Sequence, residues 1–130
     1  MPPMKMKHAV DPKKEILDEI GDIKEVEIFN NQILVGVYIR PQKTASGIIL
    51  TDKTIDEDKY QGKVGLVLKM GPDAFVDETG KWFKNMKIKV GDWVVFRPSD
   101  GWAIDINSKR CRILEDVAVR GRVKSPDIVW

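Results

Sequence analysis

The chain has 130 residues, 42% of them hydrophobic and 32% charged, and a formal net charge of +2 from 22 basic and 20 acidic side chains. That length fits one domain with a modest core, and the near-balance of charge exerts no global pull on nucleic acid or membrane. One cysteine, Cys111, excludes an intramolecular disulfide, and with a single histidine, His8, it argues against a transition-metal site.

Residues 1–10 read as an arm, with two prolines and no periodicity. The start is basic but no apolar core follows it, and no run approaches the ~18 apolar residues of a membrane span, so a soluble protein kept in the cytoplasm is expected. A short helix is expected over residues 11–20. Asp11 is placed to cap it, and Pro12 suits the first helical position, where its missing N–H costs nothing. Ile16, Leu17 and Ile20 share a face, and Gly21 is a natural stop. So short a helix must pack on something to persist.

From Val26 the period becomes two. Ile33, Val35, Val37 and Ile39 alternate with Leu34, Gly36, Tyr38 and Arg40, which predicts a strand with one strongly apolar face, ended by Pro41. A second strand is expected over residues 63–70, with Val64, Leu66 and Leu68 on one face, and a third over residues 93–97 after the turn Val90-Gly91-Asp92. Ser99-Asp100-Gly101 reads as a hairpin turn from which Trp102-Ala103-Ile104-Asp105-Ile106 returns. Residues 110–114 and 117–123 read as two more strands. Cys111 falls in this alternating stretch and reads as a small buried side chain. Short strands punctuated by Gly and Pro predict an all-β barrel or sandwich.

The connection between Pro41 and Gly62 has a split character. Gln42-Lys43-Thr44-Ala45-Ser46-Gly47 is small and polar, Ile48-Ile49-Leu50 is apolar, and residues 51–59 are polar and charged. A structureless stretch of this length inside a small domain is usually functional. Periodicity leaves two readings of Ile48-Ile49-Leu50: a short buried strand, or an exposed apolar hook that orders on a partner.

At this point the residues resemble a known family. Lys43-Thr44-Ala45-Ser46-Gly47-Ile48-Ile49-Leu50 resembles the mobile loop of GroES-type co-chaperonins (chaperonin-10-like proteins). Gln61-Gly62-Lys63-Val64 resembles the family's loop exit, and Leu66-Val67-Leu68-Lys69-Met70-Gly71-Pro72 its strand ending in Gly. Lys89-Val90-Gly91-Asp92-Trp93-Val94-Val95-Phe96 resembles its Lys-Val-Gly-Asp-x-Val strand, and Ile113-Leu114-Glu115-Asp116-Val117-Ala118 its closing strand. The resemblance implies a small GroES-like β-barrel over residues 31–119, with a mobile loop at about 41–61. A roof-type hairpin would have its tip at Asp77-Glu78-Thr79-Gly80. An arm and short helix (1–30) and a tail (120–130) extend past the usual ends, as would suit a virus-encoded version. The implied function is capping a GroEL-like chaperonin ring in its ATP or ADP state, to assist protein folding. Contact would run through Ser46, Gly47, Ile48, Ile49, Leu50 and Thr51 of each subunit of a homo-oligomeric, heptameric ring.

No catalytic role is expected. Gly80-Lys81-Trp82 is not a phosphate loop, because Phe75 stands where the first glycine would be and Trp82 where the Ser/Thr would be. His8 lies in the arm, and Asp56-Glu57-Asp58 reads as solvation of the loop, so no cofactor and no metal are expected. Two other readings compete. One is the same barrel reused as a structural assembly protein, for example in a virion. The other is a single-stranded nucleic-acid-binding barrel built on Lys81-Trp82-Phe83-Lys84-Asn85-Met86-Lys87-Ile88-Lys89.

Overall fold

The computed structural model describes residues 11–39, 49, 63–76 and 87–129. Helix α1 (Pro12–Ile20) precedes strands β1 (Gln32–Val37), β2 (Val64–Met70), β3 (Trp93–Val95), β4 (Trp102–Ile106), β5 (Lys109–Glu115) and β6 (Gly121–Val123). Two 3-10 turns, Asp116–Ala118 and Pro126–Ile128, flank β6. The strands form one antiparallel sheet in the order β4-β5-β1-β2-β3-β6. β1 is interior, and both its partners lie far along the chain: Ile33 faces Met70 of β2 and Leu114 of β5.

Every residue of β1 from Ile33 onward is buried, not one face alone. Ile33 and Val35 pack with Val67, Val94, Phe96 and Leu114 on one side of the sheet. That side is concave. β5 and β3 are three positions apart in the sheet, roughly 14 Å if it were flat. Yet the Arg112 guanidinium of β5 lies 5.8 Å from the centre of the Phe96 ring, just past β3. Arg112 also donates to the carbonyls of Pro98 and, at 2.8 Å, Asp100. The sheet must curl to bring these groups together, which gives the small GroES-like barrel expected from the sequence.

The other face of β1 carries Leu34, Gly36 and Tyr38. It is buried because α1 covers part of it, with Ile16 and Ile20 packed against Leu34, Leu68 and Cys111. The helix forms where the sequence predicts, with Pro12 in its first turn and the Gly21 N–H bonded to the Leu17 carbonyl at 3.1 Å. Gly21 has φ 66°, which favours glycine at such a stop. Two expectations fail in detail. Asp11 stands at the N-cap, but its carboxylate makes no capping bond. Leu17 is 46% exposed, because the buried stripe is the i, i+4 pair Ile16 and Ile20 alone. The helix is tied down at its C-terminal end, where the Asn107 side-chain amide donates to the Ile20 carbonyl at 2.6 Å and Lys109 pairs with Glu19 at 3.1 Å.

The strand pairing corrects the expected hairpin at Ser99-Asp100-Gly101. β4 pairs with β5, whereas β3 pairs with β2 and β6, so the chain crosses there instead of turning back. The true hairpin is β4–β5, turning on Asn107 and Ser108 at φ 51° and 67°. Two successive positive φ values match the turn type that suits the twist of a two-residue hairpin. The stretch 117–123 is likewise broken: Asp116–Ala118 is a 3-10 turn, and only Gly121–Val123 is strand.

Candidate functional site

Of the six residues expected to form the docking hook, Ser46, Gly47, Ile48, Leu50 and Thr51 lie outside the described residues. The sixth, Ile49, is 72% exposed. The expected roof hairpin tip (77–80), the acidic run 56–58, His8 and the Lys81 to Met86 part of the basic-aromatic stretch also lie outside them.

What the structure does describe is the neck from which the hook segment departs. β1 ends at Val37 and β2 starts at Val64. Beyond them the Tyr38 N–H donates to the Val64 carbonyl at 3.0 Å. The Phe96 N–H donates to the Lys63 carbonyl at 2.9 Å, so the returning side of the neck is also fastened to β3. Tyr38 is 2% exposed, and its ring meets Trp93 edge-on, with centroids 5.8 Å apart at 82°. Its hydroxyl donates to an Asp127 carboxylate oxygen at 2.6 Å. Periodicity placed Tyr38 on the less apolar face of β1 and gave no partner for it. A tyrosine at the last buried position before a polar segment was the only available signal.

The root of the next connection is held in a similar way. Asp116, buried, accepts from the Asn31 side-chain amide at 3.1 Å and from the Phe75 N–H at 2.9 Å. Phe75 takes φ 60°, a conformation disfavoured for a bulky residue, so this bond holds a strained position. Before it, Gly71 lies close against the chain, because a Cβ there would come within 2.3 Å of the Asn30 carbonyl oxygen. On the other side of the connection, the Lys89 N–H bonds to the Asp92 carboxylate at 3.0 Å, and Arg122 bridges the Lys87 carbonyl and Asp92. Lys87 and Lys89 are exposed, while Ile88 points into the core.

The titratable groups resemble structural ties more than catalytic ones. Burial pushes the Cys111 thiol up to about 11, away from the thiolate a nucleophile requires. The Arg97 side chain bonded to Asp100 holds that carboxyl below its ordinary range. Among the described residues no three His, Cys, Asp or Glu side chains are placed to share a metal ion. A cavity of about 520 Å³ opens beside β4, with Asp100, Trp102 and Glu115 on its rim, and among the described residues no nucleophile–base pair faces it. Among the described residues no helix is long and apolar enough to cross a membrane.

Comparison with known proteins gives this architecture its context. The family model of the chaperonin 10 kDa subunit matches residues 25–123. The chain is 34% identical to the co-chaperonin GroES of Pelagibacter ubique over 92 residues, covering 71% of this chain and 90% of that protein. It is 32% identical to the co-chaperonin GroES of Methylobacillus flagellatus over 95 residues, covering 73% and 93%. It is also 29% identical to the 20 kDa chaperonin, chloroplastic, of Arabidopsis thaliana over 93 residues, a match that spans 34% of that longer protein. The barrel curled around β1, the neck at Tyr38 and Val64, and the Lys89-Val90-Gly91-Asp92 turn all fall inside the matched region. The chain belongs to the chaperonin 10 kDa subunit family, the GroES-type co-chaperonins.

Proposed function

We propose that this protein caps a GroEL-type chaperonin ring in its ATP or ADP state, with residues 46–51 as the contact, and so assists protein folding without catalysing a reaction itself. The observation that carries this reading is Ile49, an aliphatic side chain left 72% exposed at the centre of an apolar triplet. An apolar residue so placed favours a partner surface over the barrel's own core. The division of the chain follows from this reading. The barrel of residues 31–119 presents the segment, between an arm and short helix over residues 1–30 and a tail over residues 120–130.

Burying one aliphatic side chain contributes roughly 1.5–3 kcal/mol. Ordering a segment opposes this by about 1–2 kcal/mol per residue, so one copy binds weakly. A homo-oligomeric ring, seven-membered as the family resemblance implies, presents several copies at high effective concentration and converts weak contacts into firm yet reversible capping. This is expected in the cytoplasm, with neither membrane nor nucleic acid as partner. Family membership favours this reading over a structural assembly protein or a nucleic-acid-binding barrel.

The test is co-elution of the full chain with a GroEL-type ring in the presence of ATP or ADP. The parent protein is expected to co-elute and the Ile49→Asp variant to elute alone while keeping the parent's circular dichroism. Equal co-elution of the two would sink the proposal.

A further inference from the structure

We infer that residues 124–129 form a strut that fixes the neck of segment 40–62, acting through the hydrogen bond from the Tyr38 hydroxyl to the Asp127 carboxylate. The inference deepens the proposed function and rests on it for the claim that the segment docks.

Five observations meet at this point. Tyr38 is the residue at which the chain leaves β1, and its N–H makes the bond to the Val64 carbonyl that closes the neck. Its side chain is buried, and a buried phenol needs a partner for its hydroxyl. Asp127 supplies that partner at 2.6 Å, the short distance of a charge-assisted bond. Asp127 is itself placed by a built element: Pro126 is buried in the turn Pro126–Ile128, and the Asp127 N–H donates to the Ser125 hydroxyl at 3.4 Å. Val129 then packs against the same cluster that holds Tyr38 and Trp93.

The strut lies beyond the region that the family model matches, which ends at residue 123. The neck is therefore held by a residue from outside the family's common barrel. Cross-sheet bonds fix the position of the Tyr38 backbone, and the Asp127 bond fixes its ring against Trp93. Together they set the direction in which the chain leaves the barrel. Fixing that direction beforehand removes part of the ordering cost of docking. Tyr38 and Asp127 are positioning residues: neither needs to touch the partner.

The experiment uses the full chain and two readouts, amide hydrogen exchange of the protein alone and titration with a GroEL-type ring in ADP. Tyr38→Phe keeps the ring on Trp93 and removes only the hydroxyl; Asp127→Ala removes the acceptor; Asp127→Asn restores a neutral one. Tyr38→Phe and Asp127→Ala are each expected to speed exchange of the Tyr38 amide about tenfold. The amides of Leu66 and Val94 should be unchanged, and Asp127→Asn should be intermediate. The Tyr38→Phe, Asp127→Ala double variant should exchange little faster than the singles, because both remove the same Tyr38–Asp127 bond. Docking of both singles should weaken several-fold. Unchanged exchange at Tyr38 overturns the strut. Faster exchange at Tyr38 with undiminished docking overturns its part in docking. If the parent itself fails to dock while the exchange pattern appears, the docking reading falls and the strut stands.

Discussion

Gly36 and Ile16 provide a direct test of how the N-terminal helix is held. A Cβ built on Gly36 would lie 2.8 Å from Ile16 Cγ2, closer than carbon atoms pack, and a tight 3.3 Å from Leu68 Cδ1. Ile16 thus occupies the space that the missing side chain leaves. Ile16→Ala removes a side chain that is 3% exposed and should destabilise by about 2–3 kcal/mol, the lower part of the usual range, because a helix on the sheet surface can settle into the gap. Gly36→Ala inserts a methyl into the contact, at about 1–3 kcal/mol. A smaller unfolded-state gain of about 0.4–1 kcal/mol for replacing glycine offsets part of it. In the Ile16→Ala background the closer clash is gone and only the tight approach to Leu68 remains, so Gly36→Ala should be close to neutral. The two changes together should therefore destabilise by about 1–2 kcal/mol less than their sum. The assay is urea unfolding followed by tryptophan fluorescence, with Trp93 buried in the same cluster as reporter. Protomer concentration is held fixed, since assembly shifts apparent stability. Additivity within about 0.5 kcal/mol would show that α1 does not rest on Gly36 and would refute the reasoning.

Two further outcomes are expected. Asp116→Ala removes the acceptor for both Asn31 and the strained Phe75 N–H, and should destabilise by about 2–5 kcal/mol; Asp116→Asn, which keeps one acceptor oxygen, should recover part of it. Equal unfolding midpoints for parent and Asp116→Ala would contradict this. Cys111 should react slowly with a thiol reagent at pH 8 in the folded protein and fast in urea. Its folded value is raised, from 9.0 to about 11, so the unfolded chain loses this proton first. The stability tied to the neutral thiol is complete below pH 9 and is lost as pH climbs towards 11, a decline that Cys111→Ala should reduce.

Much of the barrel could be read from the chain because its strands are bounded by residues with few conformational options. Pro12 and Gly21 delimit α1, and Gly91-Asp92 leads into β3. The segment proposed to dock shows in the sequence as a composition change, and the ordered matches around it resemble one family. Apart from the Asp11 cap and the turn that breaks the stretch 117–123, both local, the misreadings share a cause: each concerned a long-range partner. The alternation around Ser99-Asp100-Gly101 is the same whether β4 folds back on β3 or crosses to β5, and the choice is made by β6 taking the edge of β3. Asn107-Ser108 is a weaker turn signal than Asn-Gly, although both residues take positive φ. Tyr38 and Asp127 lie 89 residues apart, and nothing local to either announces the other. Helical spacing allows Leu17 on the buried face. The sheet has room for one narrow stripe, and Ile16 and Ile20 fill it.

The interior place of β1 also governs when the molecule can fold. Gln32 finds its partner at Glu115, so the central strand stays half-paired until nearly the whole barrel has left the ribosome. Topologies dominated by such distant pairings fold in milliseconds to seconds, not microseconds. During that interval Ile33, Leu34, Val35 and Val37, all fully buried at the end, are open to solvent and to other chains. α1 precedes β1 in the chain and covers the face that carries Leu34 and Gly36. Its ties, however, are to Asn107 and Lys109 at the β4–β5 turn, so it is fixed over that face only when β5 arrives. A subunit that serves the folding of others is thus itself open to misassociation until its late strands arrive.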